Sequence, residues 1–285
     1  MFYDKESDFE DDLVAVLKRH GWTDGVLEYP TEQDLIDNWA SILFDNNKGI
    51  DRLNGQRLTK GEMAQILEQI ETLRTPLALN SFINGKTVSI KRDNPRDEAH
   101  YGKEISLKIY DRQEIAAGQS RYQIARQPIY PAKNKMLNDR RGDVCLLING
   151  MPVIHIELKK SGIPISQATN QIAKYAHEGV FTGLFRLVQV FVAMNPDDAV
   201  YFANPGEGDF NDDYFFHWAD YNNEPTAANK HVGQDEWKRF ASDLLSIPMA
   251  HQLIGFYTVA DSADGCLKVL RSYQYQAVNA ISDRV

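Results

Sequence analysis

Two apolar runs in the middle of this chain meet at one Asn-Gly dipeptide, and charged residues stand at their outer ends. The stretch reads Asp143-Val-Cys-Leu-Leu-Ile-Asn-Gly-Met-Pro-Val-Ile-His-Ile-Glu157-Leu158-Lys159. Asn-Gly between hydrophobic runs is a strong hairpin signal, so two paired strands are expected here. Buried strands rarely hold carboxylates and a lysine unless these groups have partners or a metal. Three charges converging on one end of a sheet therefore suggest a hydrolytic metal site. The same residues also suit a structural Glu157–Lys159 pair at a sheet edge, with Asp143 capping a turn.

Strand geometry gives this expectation a condition. Glu157 and Lys159 are two residues apart and share a face of their strand. A two-residue Asn149-Gly150 loop would pair Ile148 with Met151 and set Asp143 opposite Ile156, facing away from Glu157. A three-residue loop, with Gly150 left-handed as a bulge, would pair Leu147 with Met151. Asp143 would then face His155, with Glu157 as its diagonal neighbour on the same face, about 7–8 Å away at the backbone. A functional site thus requires an odd loop or a bulge. Oxygen donors of this kind suit Mg²⁺, which takes a few carboxylates and keeps several waters. Asp143 and Glu157 are the side-chain ligand candidates and the Leu158 carbonyl is the third. Lys159 would then orient or deprotonate a water, or stabilise the charged phosphate.

Downstream, Ser166 is expected to cap a helix running to about Glu178 after the Gly162/Pro164 loop. Gln171 and Tyr175 are four apart and share one side of it. His155 shares the Glu157 face by strand parity, but a single histidine is more often a hydrogen-bonded core residue than a ligand. Neither it nor His177 is assigned a catalytic role.

Taken together, Asn138-Asp-Arg-Arg-Gly-Asp143, the Leu-Ile-Asn-Gly-Met-Pro turn, Ile-Glu157-Leu-Lys159 and Gln171-x-x-x-Tyr175 resemble the PD-(D/E)xK nuclease region of the R subunit of type I restriction-modification enzymes. The resemblance extends from about Ser7 to the C-terminus and is similar in kind to RecB-like nuclease domains. It implies catalytic roles for Asp143, Glu157 and Lys159 and supporting roles for Gln171 and Tyr175. It also implies Mg²⁺ (with Mn²⁺ as a substitute), cleavage of double-stranded DNA, and assembly with methyltransferase (M) and specificity (S) subunits. Gly142 stands where the family pattern has Pro. Nucleases of this class carry an acid on the helix preceding the sheet, and Glu10 matches that place as a further acid; an exposed first-turn Glu favoured by the helix dipole is the alternative.

The C-terminal Leu270-Arg-Ser-Tyr-Gln-Tyr-Gln-Ala-Val-Asn-Ala-Ile281 looks like the opening of a superfamily 2 helicase motor. An ordinary amphipathic helix, with Leu270, Tyr273, Ala277 and Ile281 on one side, fits the same residues. The chain is accordingly expected to divide into a helical N-terminal lobe (1–85), a nuclease core (86–260) and the start of a motor (261–285), a fragment of a larger subunit. It contains no phosphate-binding loop: in Asn80-Ser-Phe-Ile-Asn-Gly85-Lys86-Thr87, Asn80 occupies the place of the first glycine. ATP is expected to act only on the full-length subunit.

The expected fold is α/β, a PD-(D/E)xK restriction-endonuclease-like core with a mixed sheet flanked by helices behind the helical lobe. Helices are expected at Phe9–Leu17, Glu32–Leu43, Lys60–Leu73, Glu236–Leu245 and Pro248–Tyr257, and strands at Thr87–Lys91, Ile105–Tyr110, Tyr122–Tyr130, Leu187–Met194 and Val200–Ala203. A polar excursion at Asn204–Asn229 should hold one short strand near Phe215–Trp218. Two cysteines, no long apolar run and no signal-peptide pattern point to a soluble cytoplasmic protein.

A net charge of −9 bears directly on DNA binding, which draws on Lys and Arg. The stretch 86–174 is locally richer in base, including Lys91, Arg92, Arg121, Arg126, Lys133, Lys135, Arg140, Arg141, Lys159 and Lys160. Weak intrinsic DNA affinity is expected. A catalytically silent docking module, or a PD-(D/E)xK nuclease of a repair or recombination system, is the alternative function.

Overall fold

Caps fix where the N-terminal helices begin. In this computed structural model, which describes residues 2–114, 120–132, 138–206, 208, 210–219, 236–261 and 265–282, α1 (Glu6–Arg19) carries acids in its first turn and bases in its last. This is the order the helix dipole favours. Its apolar side, Phe9, Leu13, Val14 and Leu17, is buried. A short strand, β1 (Val26–Glu28), leads to α2 (Glu32–Asn47) and α3 (Lys60–Thr72). Thr31 with Asp34, and Thr59 with Glu62, form reciprocal capping boxes at the starts of α2 and α3. The next helix, α4 (Pro76–Asn84), was not expected. Thr75 caps it and Pro76 occupies its first turn, where a missing N–H costs nothing. Asn80 lies inside it.

Next come β2 (Thr87–Lys91) and β3 (Glu104–Lys108), a separate antiparallel pair. The strand expected over Tyr122–Tyr130 is two: β4 (Tyr122–Arg126) and β5 (Ile129–Tyr130). Gln127, with φ +48°, breaks it ahead of Pro128. β5 pairs with β6 (Arg140–Arg141). Lys133 and Lys135 lie outside the described residues, as do 207, 209 and 220–229 of the polar excursion. Within that excursion Phe216 makes only an isolated bridge to Tyr201.

β7 (Val144–Ile148), β8 (Met151–Leu158), α5 (Ile165–His177), β9 (Val190–Met194) and β10 (Ala199–Ala203) complete the main layers. The principal sheet is mixed and has the order β1-β4-β7-β8-β9-β10. β1/β4 and β8/β9 are parallel and the other neighbours antiparallel. Thus the N-terminal region is not purely helical, since it supplies an edge strand. Every residue of β7, β8 and β9 is buried, as in strands covered on both faces. Along β9, Phe191 and Ala193 pack with Ala168 and Ile172 of α5. The alternate residues Val190, Val192 and Met194 join the larger core with Phe9 and Leu13 of α1.

α6 (Glu236–Asp243) and α7 (Met249–Gln252) follow, the latter continuing into a π-turn at Leu253–Tyr257. β11 (Thr258–Ala260), β12 (Leu267–Val269) and α8 (Ser272–Ser282) close the chain. On α8, Tyr273 and Ile281 are exposed rather than packed. Among the described residues no helix is long and apolar enough to cross a membrane.

Candidate active site

The Asn149-Gly150 turn has two residues, both at positive φ (52° and 84°), and pairs Ile148 with Met151. This is the short hairpin loop, not the three-residue alternative. By itself it would point Asp143 and Glu157 to opposite faces. Parity is restored inside β8. Leu147 pairs with Pro152 but Leu146 pairs with Ile154, so Val153 is an extra residue. Proline has no N–H for the ladder and is tolerated within sheets at such bulges, so Pro152 marks the position. The Val153 carbonyl accepts instead from the Gln189 N–H (2.9 Å). Past the bulge Val144 pairs with Ile156, and one further step sets Asp143 across from Glu157. The expected partner of Asp143, His155, pairs instead with Cys145.

Asp143, Glu157 and Lys159 are therefore together at the C-terminal end of β8. The Leu158 N–H donates to Asp143 Oδ2 (2.7 Å). Lys159 Nζ lies 3.4 Å from Glu157 Oε1 and donates to the Leu158 carbonyl (2.7 Å). The ammonium thus occupies the carbonyl expected to serve as a ligand. Burial, and then the neighbouring Glu157, hold the Asp143 carboxyl well above the usual carboxylate range. Burial likewise pushes Glu157 up to about 7 against the pull of Lys159. Two acids that resist ionisation thus stand side by side at this end of the sheet.

Glu10 does not reach this cluster. It is buried, accepting from Arg126 Nε and from Gln127 Nε2 (2.9 Å), and Arg126 also pairs with Asp11 and Glu28. The α1 acid that faces the site is Glu6, whose Oε1 is 3.8 Å from Lys159 Nζ. One helical turn separates the two positions, and only the angle at which α1 crosses the sheet selects between them.

Gln171 and Tyr175 do meet, but they bind backbone rather than the carboxylates. Gln171 Nε2 donates to Tyr175 Oη (2.9 Å), which donates to the Arg141 carbonyl (3.1 Å), two residues before Asp143. Burial, then Glu157, raises the Tyr175 phenol to about 12, keeping it a donor. Ser166 is not the cap of α5: Pro164 holds that position without a side-chain hydrogen bond. No sequence pattern announces Gln127, whose N–H donates to the Asp143 carbonyl (2.7 Å). Nor does one single out Tyr130, whose hydroxyl lies 2.8 Å from His155 Nδ1. His155 Nε2 in turn lies 3.4 Å from Glu157 Oε2. Burial lowers the His155 pKa to about 4, so it is neutral at pH 7.

Several bases of the 86–174 stretch are already engaged. Arg92 is fully buried against Glu62 and Asp97, and Arg140 pairs with Glu178. Arg141, Lys160 and Lys174 are exposed. Among the described residues no three His, Cys, Asp or Glu side chains form a metal cage. The donors present are two carboxylates and a carbonyl, with Glu157 Oε2 buried and unpartnered. That set fits Mg²⁺, which needs one or two carboxylates and brings its own waters.

Comparison with known proteins places the chain. The sequence profile of the type I restriction enzyme R protein N terminus matches residues 7–210. The chain is 31% identical to the SsaAORF53P type I restriction enzyme endonuclease subunit of Staphylococcus saprophyticus, over 99% of this chain and 27% of that protein. It is 27% identical to the SauCOLORF180P subunit of Staphylococcus aureus, with the same coverages. It is 29% identical to the EcoprrI endonuclease subunit of Escherichia coli, over 91% of this chain and 81% of that protein. The chain thus spans about a quarter of the length of the staphylococcal relatives.

Proposed function

The chain belongs to the family of type I restriction enzyme R protein N termini, and from this premise we propose that it is the Mg²⁺-dependent PD-(D/E)xK nuclease region of such a subunit. It hydrolyses phosphodiester bonds of double-stranded DNA without a covalent intermediate. It works in the cytoplasm, in a complex with methyltransferase and specificity subunits and an ATP-driven motor. The proposed division is the N-terminal lobe 1–85, the nuclease core 86–260 and the beginning of the motor from 261. The observation that carries the proposal is the Val153 bulge, which turns Asp143 to the Glu157–Lys159 face.

Asp143 and Glu157 would hold Mg²⁺, with Mn²⁺ as a substitute, and the Leu158 carbonyl would join them on exchanging its hydrogen bond from Lys159 for the ion. When bound, the ion supplies an acidified water and neutralises charge on the phosphate. Lys159 would then donate to the attacking water or to a phosphate oxygen. Tyr175, braced by Gln171, keeps the Arg141–Asp143 segment in place through the Arg141 carbonyl. The exposed Arg141, Lys160 and Lys174 are the candidates for DNA phosphate contacts.

The test is cleavage of supercoiled DNA by the assembled enzyme with Mg²⁺ and ATP, with Asp143→Ala and Lys159→Ala beside the wild type. Both variants should retain ATP hydrolysis and lose cleavage by about 10²–10³-fold, the scale of lost electrostatic stabilisation. Cleavage at wild-type rates in either would leave the chain as a docking module.

A further inference from the structure

Two buried polar atoms face each other beside the site without a hydrogen bond. They are His155 Nε2 and Glu157 Oε2, 3.4 Å apart on fully buried side chains. Such groups are rare, because an unsatisfied buried donor or acceptor costs about 1–3 kcal/mol. The other imidazole nitrogen is satisfied: Nδ1 lies 2.8 Å from the hydroxyl of Tyr130, itself fully buried. Phe181 and Phe191 stand edge-on to the imidazole and confine the ring.

A second observation involves Gly142. A Cβ there would lie 2.8 Å from His155 Cε1 and from Tyr130 Cε2, and 2.9 Å from the Tyr130 hydroxyl. The Tyr130–His155 pair therefore presses on the backbone immediately before Asp143, which is why a glycine stands at that position. One pair of side chains thus touches the approaches to both carboxylates.

We propose that Tyr130 and His155 are positioning residues that set the tautomer and orientation through which Glu157 receives a divalent cation. This rests on the metal-site proposal above. With the Tyr130 hydroxyl as donor to Nδ1, the one proton of a neutral imidazole stays on Nε2. That N–H is aimed at Glu157 Oε2 and needs a shift of only a few tenths of an ångström to bond it, since N–H···O bonds lie near 2.9–3.0 Å. With Oε2 held from behind, Oε1 is the oxygen presented to the ion. Orienting partners of ligating carboxylates act in this way, and their loss typically weakens metal affinity about 10–100-fold.

The experiment is Mn²⁺ titration of the chain by calorimetry at fixed pH, on the wild type, Tyr130→Phe, His155→Leu and His155→Gln. Melting of each metal-free variant is measured alongside. Tyr130→Phe and His155→Leu should bind Mn²⁺ about tenfold or more weakly. His155→Gln, which returns an N–H near the Nε2 position, should recover most of the loss. A merely structural role predicts no such recovery, so a Gln variant as weak as Leu overturns the proposal, as do Phe and Leu variants that bind like wild type. Nitrogen-15 NMR of His155 in the Mg²⁺-loaded chain should show the Nε2–H tautomer, and the Nδ1–H tautomer overturns the proposal too. A wild-type chain that binds no Mn²⁺ while Asp143→Ala behaves identically overturns the metal site itself, and this proposal with it.

Discussion

Glu157→Gln in the metal-free chain should stabilise the fold at neutral pH. Glu157 is fully buried, and its folded-state pKa of about 7 stands above the 4.5 of a free glutamate. The folded chain therefore holds that proton more tightly than the unfolded one. Stability is fullest below pH 4.5 and is lost as pH rises to about 7, after which the loss is constant. A gap of about 2.5 pH units corresponds to about 3 kcal/mol. Glutamine keeps the shape and a carbonyl for Lys159 but never ionises. For a chain of 285 residues this is about 5 °C in melting temperature. Asp143 is raised first by burial and then by Glu157, so the two acids titrate as a coupled pair and the variant also removes the Glu157 charge from Asp143. The assay is thermal melting in chelator at pH 5 and pH 8. The two proteins should melt together at pH 5 and diverge at pH 8, with the variant higher. Mg²⁺ should then close the gap by raising only the wild type, by about 2.7 kcal/mol at a hundredfold excess over its dissociation constant. A variant that melts below wild type at pH 8, or an equal gap at both pH values, would refute the claim that Glu157 bears an ionisation cost.

Gly142→Ala should destabilise the chain by about 1–3 kcal/mol, because the new methyl meets Tyr130 and His155 at 2.8 Å; chemical denaturation measures it. Tyr175→Phe should cost about 1 kcal/mol, losing the bond to the Arg141 carbonyl, and should lower DNA cleavage more than ATP hydrolysis in the assembled enzyme. Glu10→Gln should destabilise by about 2 kcal/mol through Arg126 and Gln127, whereas Glu6→Gln, on a half-exposed side chain, should leave the melting temperature nearly unchanged while altering Mn²⁺ affinity. Equal effects of the two substitutions on stability would contradict the different places assigned to them.

The sequence made the hairpin, the shared face of Glu157 and Lys159, and most helix boundaries legible, because these follow from period, caps and turn residues. Lys60–Thr72 is a case where Thr59 and Glu62 announce the helix before any contact is known. What it hid depended on tertiary packing. The need for a parity change was visible, but its location was not. Pro152 is the signal, since a proline in a central strand has no N–H for the ladder and marks a bulge, but it also belongs to the Asn-Gly-x-Pro turn pattern. Glu6 goes unnamed in the sequence reading, where Glu10 stands for the further acid, because burial and periodicity cannot tell which turn of α1 lies over the end of β8. The helix Pro76–Asn84 is obscured by the phosphate-loop-like string Asn80–Thr87 that overlaps it, although Thr75-Pro76 is a sound helix start. Strand parity puts His155 on the Glu157 face, but no periodicity shows that its second nitrogen has nothing but Glu157 to bind.

Asp143 illustrates why a site of this kind needs such extensive support. Its carboxyl faces Glu157 in a buried setting, so repulsion and desolvation both push the segment away from the geometry a cation requires. The fold opposes this from three directions. The Gln127 N–H holds the Asp143 carbonyl, Tyr175 holds the Arg141 carbonyl, and the Leu158 N–H holds the carboxyl oxygen itself. Each bond comes from a different part of the chain: the break after β4, helix α5 and the end of β8. No one element can relax without straining the others, and the cost of keeping two acids adjacent is spread through the core. Such a site should resist single substitutions in its supports and fail when two are combined. Tyr175→Phe together with Gly142→Ala should therefore lower Mn²⁺ affinity by more than the product of the two separate effects, as expected for residues acting on one backbone segment. Simple multiplication of the two effects would show that the supports act on Asp143 independently.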